Sequence, residues 1–297
     1  MTDRPPAITV VIPVLDGATT IGIQLAAVLG QAVDAPFEVV VVDNGSTDGT
    51  PAVVMGFGDP RVRLVRETDR PRNAGAAKNT GVRVARAPLI AFCDADDLVA
   101  DGWLAAVLAA LQDHPVVSVT AEHGRCSPGL SARSCPAPVV EHTFGGRTVF
   151  SGGAFGITRD VYLAVGGFDP DARGAVDYEF ALRLHRLTGL TAAPSGAVVH
   201  VRLRSDPVAA FRTYRRLHAS LVDLEREYAD SLEVTPRTAG VAARDWRDLA
   251  RATRWLREPD LRVQFAWLAA LRVGELRRVR YAVADRRRAG RRTPGRS

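Results

Sequence analysis

The residues of this chain best suited to chemistry are carboxylates that follow an apolar run: Leu89-Ile90-Ala91-Phe92-Cys93 leads straight into Asp94-Ala95-Asp96-Asp97. Carboxylates in an Asp-x-Asp spacing at a strand's end are hard oxygen ligands, suited to a divalent cation that keeps some of its water and shares a diphosphate. The spacing alone leaves a second reading open, in which Asp96 and Asp97 cap a helix beginning near Gly102. Other polar groups stand at comparable places. Asp43 closes the run Phe37-Glu38-Val39-Val40-Val41-Val42, Asp177 opens a helical pattern from Val176 to Thr188 that stops at Gly189, and His200 follows Val198-Val199. Lys78, the only lysine of the chain, lies in Asn73-Ala74-Gly75-Ala76-Ala77-Lys78-Asn79-Thr80-Gly81.

The elements that must position these groups are legible as apolar periodicity. Ile8-Thr9-Val10-Val11-Ile12-Pro13-Val14 and the run ending at Asp43 are β-branched strands separated by a helical pattern from Thr19 to Gln31. Such runs alternating with helices read as strands buried on both faces of a mostly parallel sheet. Ligands of these sheets bind outside the carboxyl ends of the strands, so Asp43 and Asp94 are expected to share one crevice. Between Asp43 and Pro51 the chain turns and starts a helix, with Thr50 expected as its N-cap and Pro51 in its first position. A helix-loop-helix Ca²⁺ site is excluded here: Gly45 and Gly49 fall at the third and seventh positions, and no glutamate stands at the twelfth.

Taken in order, Ile12-Pro13-Val14, Asp43-Asn44-Gly45-Ser46-Thr47-Asp48-Gly49-Thr50, Asn73 to Gly81 and Asp94-Ala95-Asp96-Asp97 resemble the family 2 inverting glycosyltransferases of the GT-A fold. Gly166-Gly167-Phe168-Asp169 and Val176-Asp177-Tyr178-Glu179 extend the resemblance over roughly residues 7 to 202. It implies an α/β, Rossmann-like fold with a mostly parallel central sheet flanked by helices, here followed by a helical C-terminal extension. It also implies a nucleoside diphosphate sugar as donor and Mg²⁺ or Mn²⁺ as cofactor. Carried over residue by residue, Pro13, Asp43, Asn73, Lys78, Asp94 and Asp96 would contact the donor. Asp94 and Asp96, with His200, would hold the metal, and Asp177 would be the general base. The residues themselves leave other roles open: Asn73 and Lys78 could cap and solvate the helix running toward Ala85, and His200 could be a satisfied strand-end residue. Two departures stand out. Asp16-Gly17 replaces the family's Asn-Glu after the first strand, and Val176-Asp177 replaces its Glu-Asp.

The expected reaction gives these residues reasons to be there. The leaving diphosphate gains negative charge that a cation at Asp94 and Asp96 would absorb, while the acceptor hydroxyl needs one carboxylate to take its proton. A helix N-terminus favours an ionised Asp177, and Glu179 is the next candidate base. The acceptor is read only as a glycan, a lipid-linked sugar or a small molecule. A catalytically silent GT-A-like module that binds a nucleotide or a partner is the alternative, against which Asp94, Asp96 and Asp177 argue. A sugar-phosphate nucleotidyltransferase would need a Gly-rich phosphate loop after the first strand, where Val14-Leu15-Asp16-Gly17 stands instead.

The 297 residues, 46% hydrophobic, suffice for one large domain and an appendage. The reading places a catalytic domain at 1–206, with a nucleotide-sugar half near 7–100 and an acceptor half near 101–206. A helical extension at 207–285 and a disordered Arg-rich tail at 286–297 follow. Cys93, Cys126 and Cys135 fit no disulfide or zinc pattern, and Ser127 to Pro138 reads as a loop beside the active site. No apolar run reaches the about 18 residues of a membrane span and no leader pattern opens the chain, so the expected location is cytoplasmic, extending to a peripheral position on the inner face of the membrane. Residues 260–297 hold eleven arginines against Asp260, Glu275 and Asp285, a net of +8. With Leu261, Phe265, Trp267, Leu268, Leu271, Leu276 and Val279 they read as an amphipathic helix, either on anionic lipid or packed on the catalytic domain. Basicity confined to one end, without a recognisable nucleic-acid motif, argues against a nucleic-acid partner.

Overall fold

Valine and isoleucine fill the strands Ile8–Val14 (β1) and Phe37–Asp43 (β2), and in the computed structural model these lie parallel, in register from Ile8 opposite Phe37 to Val14 opposite Asp43. The structure describes residues 4–123, 142–144, 147–150, 153–172, 174–203, 205–232, 239–257 and 261–290. Cys126, Cys135 and the Ser127 to Pro138 loop lie outside them; Cys93 is buried, with a free thiol. Two compact units are present, one made mostly of residues up to 203 and the other mostly of residues beyond.

In the first unit the elements after β1 are Ile21–Leu29 (α1), β2, Thr50–Gly56 (α2), Val62–Arg66 (β3), Ala74–Val84 (α3), Leu89–Phe92 (β4) and Leu98–Val99 (β5). Trp103–Asp113 (α4), Val116–His123 (β6), His142–Phe144 (β7), Arg147–Val149 (β8), Phe155–Thr158 (β9), Arg159–Ala164 (α5), Val176–Thr188 (α6) and Ala193–Val201 (β10) follow. The eight-stranded sheet has the order β3-β2-β1-β4-β9-β6-β10-β5, and β7 pairs with β8 separately. The strands β3, β2, β1 and β4 are mutually parallel, so their carboxyl ends share one edge. The strand β9 runs antiparallel to both β4 and β6. Its amino end is therefore delivered to the edge where β4 ends. The helix α3 covers β1 and β2 at close range: a Cβ at Gly81 would stand 2.3 Å from Val11 Cγ1, so glycine is required there. One expectation is corrected. The N-cap of α2 is Gly49, with Thr50 inside the helix, because the Asp48 carboxylate already accepts the Thr50 N–H at 3.0 Å.

The second unit contains Pro207–Glu227 (α7), Ala239–Ala252 (α8), a 3-10 turn at Thr253–Arg257 and Arg262–Gly290 (α9). The helix α9 meets α7 through small residues: Val263 and Ala266 pack with Ala210, Phe211 and Tyr214, and a Cβ at Gly274 would come within 3.2 Å of His218 Cβ. Farther along, Arg277 reaches Asp223 at 2.6 Å, Arg278 pairs with Glu225, and Tyr281 donates to Asp223 at 2.6 Å. One expectation changes. Because arginine and alanine are good helix formers, α9 continues to Gly290, past the start set for a disordered tail at 286; residues 291–297 lie outside the described ones. Of the large apolar residues, Phe265, Leu268 and Leu271 are half-buried and Trp267 is exposed, while the smaller Val263, Ala266 and Ala270 are buried. Leu276, Val279 and Val283, at helical spacing, are 52%, 59% and 44% exposed.

Candidate active site

The acidic loop is built by polar groups that the core holds in place. Gln24, fully buried on α1, donates to the Asp94 carbonyl at 3.0 Å and accepts the Val99 N–H at 3.1 Å, bracketing the turn from Asp94 to Asp97. From the far strand, the Arg202 N–H donates to Asp97 Oδ1 and the Arg202 guanidinium to the Asp96 carbonyl, both at 2.9 Å. The helix α4 has Gly102 as N-cap with no side-chain cap, so Asp96 and Asp97 do not serve as its cap. Asp97 is buried and Asp96 exposed. At Gly153, where φ is +106°, a Cβ would fall 2.2 Å from Asp94 Oδ2. The bare glycine backbone cradles that carboxylate.

Lys78 and Asp177 meet here although 99 residues separate them: the Lys78 ammonium donates to Asp177 Oδ1 at 2.9 Å, and the lysine side chain is only 3% exposed. Its Nζ also lies 4.9 Å from the centre of the Phe168 ring. Burial works against the ammonium, but the charges of Asp177, Asp94 and Asp97 outweigh it and hold its pKa above the ordinary value. Burial raises Asp94, Lys78 pulls the other way, and Asp177 and Asp96 add to the rise, so the carboxyl is pushed up to about 7. Asp97 is driven well above the carboxylate range by burial and then by Asp94 and Asp96. The cluster is thus short of positive charge. Asp177 stays near it because α6 is pinned by aromatic packing. Phe180 stacks on Phe168 at 4.7 Å and tilts against Tyr162 at 5.4 Å, while Phe155 stacks on Phe92 at 4.7 Å.

The remaining expected site residues are distributed differently. Pro13 lies in β1 opposite Val42. Asp43 is buried at the end of β2, accepting the Ser46 N–H at 2.9 Å with Arg66 Nε at 3.9 Å. Asp16, with φ of 49°, turns back to accept the Thr47 N–H at 2.7 Å, so the departure at Asp16-Gly17 ties the first loop to the second. Asn73 caps α3: its Oδ1 accepts the Ala76 N–H at 2.9 Å and its Nδ2 donates to the Pro170 carbonyl at 2.6 Å. Glu179 is paired with Arg183 at 2.7 Å, and the same guanidinium donates to the loop carbonyls of Val165 and Gly167. His200 Nδ1 stands 3.2 Å from Glu122 Oε2, its register neighbour on β6.

Residues 9–150 match the model of the family described as Glycosyl transferase family 2. The chain carries a family 2 glycosyltransferase domain. Over 97 residues it is 43% identical to the succinoglycan biosynthesis protein ExoO of Rhizobium meliloti (strain 1021), covering 33% of this chain and 27% of that protein. Over 111 residues it is 38% identical to validoxylamine A glucosyltransferase of Streptomyces hygroscopicus subsp. jinggangensis, covering 37% and 26%. The matched stretch therefore spans about a quarter of these relatives' length. In fold the chain is similar to the mannosyltransferase PcManGT from Pyrobaculum calidifontis, solved in complex with GDP-Man and Mn²⁺. That likeness has 23% identity and a TM-score of 0.58, over 93% of this chain and 88% of that one. The expected GT-A architecture is the observed one.

Within the family 2 domain, the donor set suits a hard divalent cation only as part of a larger shell. Asp94 and Asp96 offer oxygens, and the Gly153 cradle leaves Asp94 unobstructed, yet among the described residues no group of three His, Cys, Asp or Glu side chains is arranged to hold a metal. Gln24, Arg202 and Gly153 escaped the sequence reading. A glutamine on the buried face of α1, among Ile21, Leu25 and Val28, was the one signal available. The cradle predicts that Gly153→Ala displaces the Asp94 carboxylate: cation-dependent nucleotide binding, followed by calorimetry with Mn²⁺, should weaken at least tenfold while the circular dichroism spectrum is retained. Unchanged binding would remove the cradle from the account.

Proposed function

We propose that this chain transfers a sugar from a nucleoside diphosphate sugar to an acceptor hydroxyl with inversion. The observation that carries the proposal is the meeting of Asp177 with the Asp94-Asp96 loop at the carboxyl edge of the parallel strands, joined by one buried ammonium. Support comes from the relatives named as glucosyltransferases and from the GT-A neighbour complexed with GDP-Man and Mn²⁺. Asp94 and Asp96 would hold the divalent cation, Mg²⁺ or Mn²⁺, and Asp43 would meet the base and ribose. When bound, that cation supplies positive charge to the departing diphosphate. Asp177, held by the Lys78 ammonium at 2.9 Å, accepts the acceptor's hydroxyl proton as the oxygen bonds to the anomeric carbon. The bond from that carbon to the diphosphate breaks on the opposite face, its electron pair leaving with the phosphate. Relatives named for succinoglycan biosynthesis, for validoxylamine A and for a diphosphoundecaprenol-linked sugar support a glycan, small-molecule or lipid-linked acceptor.

Among the described residues, no helix is long and apolar enough to cross a membrane. For the second unit we propose peripheral attachment to anionic lipid, supported by the exposed Leu276, Val279 and Val283 beside the exposed Arg280.

Two outcomes are expected. Asp177→Asn should lower turnover by ~10²-fold or more, the scale of a positioned base, while nucleotide affinity changes only a few fold. Near-normal turnover on a true acceptor would move the base elsewhere. For the lipid surface, the full chain should co-sediment with vesicles containing phosphatidylserine at low salt, and Leu276→Asp with Val279→Asp should abolish this without altering nucleotide binding. Indifference of the full chain to such vesicles would end the membrane proposal.

A further inference from the structure

We infer that Lys78 is a built-in counter-cation of the donor site, whose charge keeps the divalent cation weakly bound until a nucleoside diphosphate arrives; this rests on the donor-site reading proposed above. Three observations carry it. The ammonium is held inside the cluster, 2.9 Å from Asp177 Oδ1 and 4.9 Å from the Phe168 ring centre, and it feels the charges of Asp94 and Asp97 as well. Its backbone has no room to withdraw, because α3 is capped by Asn73 at one end and seated against Val11 through Gly81 at the other. Among the described residues the protein offers no ready three-ligand metal set, so a cation entering alone would have an incomplete shell.

The consequence is electrostatic. A cation at Asp94 and Asp96 must share the Asp94 field with an ammonium already neutralising part of it, and like charges drawn to one carboxylate repel. A diphosphate reverses the balance, since its negative charge attracts both cations and supplies the oxygens that the shell lacks. Lysine suits this role better than arginine because a compact ammonium on a flexible stem can turn from Asp177 toward a phosphate oxygen without a planar fork to accommodate. In a chain whose other fixed side-chain cations are all arginines, this one position carries the ammonium. Cation and nucleotide should therefore bind cooperatively, with Lys78 as the source of the coupling.

The test measures Mn²⁺ binding directly, without turnover, on the full chain. In the absence of nucleotide, Lys78→Met should bind Mn²⁺ at least tenfold more tightly than the wild type, Lys78→Arg should stay close to the wild type, and adding Asp96→Ala to Lys78→Met should remove the gained binding. Equal or weaker Mn²⁺ affinity in a folded Lys78→Met variant would overturn the inference. If Mn²⁺ fails to bind through Asp96 even in the presence of UDP or GDP, the donor-site reading itself falls, which separates the two failures. Should Lys78→Met not fold, the wild type still decides. Because the chain has one lysine, protein labelled with ε-¹³C-lysine gives a single side-chain resonance, which should shift on adding UDP or GDP with Mg²⁺ and keep its position in Asp96→Ala. An unmoved resonance at saturating nucleotide and Mg²⁺ would also overturn it.

Discussion

A buried ammonium surrounded by carboxylates is the constraint on which the rest of the site depends. Lys78, almost wholly removed from water, is stable there only because Asp177 lies 2.9 Å away and Asp94 and Asp97 add their fields. At an effective dielectric of ~20, unit charges ~4 Å apart interact by about 4 kcal/mol, while stripping one partner from a buried pair costs about 3–5 kcal/mol. The reverse dependence is equally strong: without the lysine, carboxylates from two separate segments, the Asp94–Asp97 loop and α6, would face one another with little to offset their repulsion. The contact therefore fixes α3 against α6, and both helices must be held to match. Gly81 lets α3 sit tightly on β1, and the Phe168, Phe180 and Tyr162 rings hold α6.

Topology supplies the other half. Because β9 enters the sheet antiparallel between β4 and β6, its amino end returns to the edge where β4 releases the acidic loop. That reversal places the Gly153 backbone beside Asp94, and it lets β10 reach the same edge, where Arg202 ties down Asp96 and Asp97. Loop groups that bind a diphosphate need such bracing, since a site with loose carboxylates loses the geometry that makes a shared cation useful. Gln24 serves the same end from α1, spending both ends of its amide on the backbone around the turn.

What could be read in the sequence was whatever periodicity and chain position encode. The β-branched runs of β1 and β2, the carboxylates at the ends of β2 and β4, and the helix opening at Asp177 were all legible, because a buried parallel strand and a helix N-terminus leave local signatures. Contacts made through space were not. The meeting of Lys78 with Asp177 has no local mark, and neither does the facing of His200 by Glu122, which depends on strand register. Asn73 was ambiguous as a sequence feature; in the fold it caps α3 and donates to the Pro170 carbonyl. Thr50 shows the limit of cap preferences, because Asp48, two residues earlier, accepts the Thr50 N–H and the helix already starts at Thr50. On α9, counting apolar residues marked an amphipathic helix but not which face is buried. Close packing against α7 selects Ala266 and Gly274 over the bulkier residues.

The chain thus presents an acidic loop, one candidate base and one internal cation at the carboxyl edge of the parallel strands of a GT-A fold. The central claim is that Asp94 and Asp96 receive a divalent cation together with a nucleoside diphosphate. A crystal structure with Mn²⁺ and UDP or GDP, using anomalous scattering to locate the metal, addresses it most directly. An anomalous peak is expected between the Asp94 and Asp96 carboxylates and the diphosphate, with the base lying toward Asp43. Nucleotide bound away from this edge, or Mn²⁺ on other ligands, would contradict it.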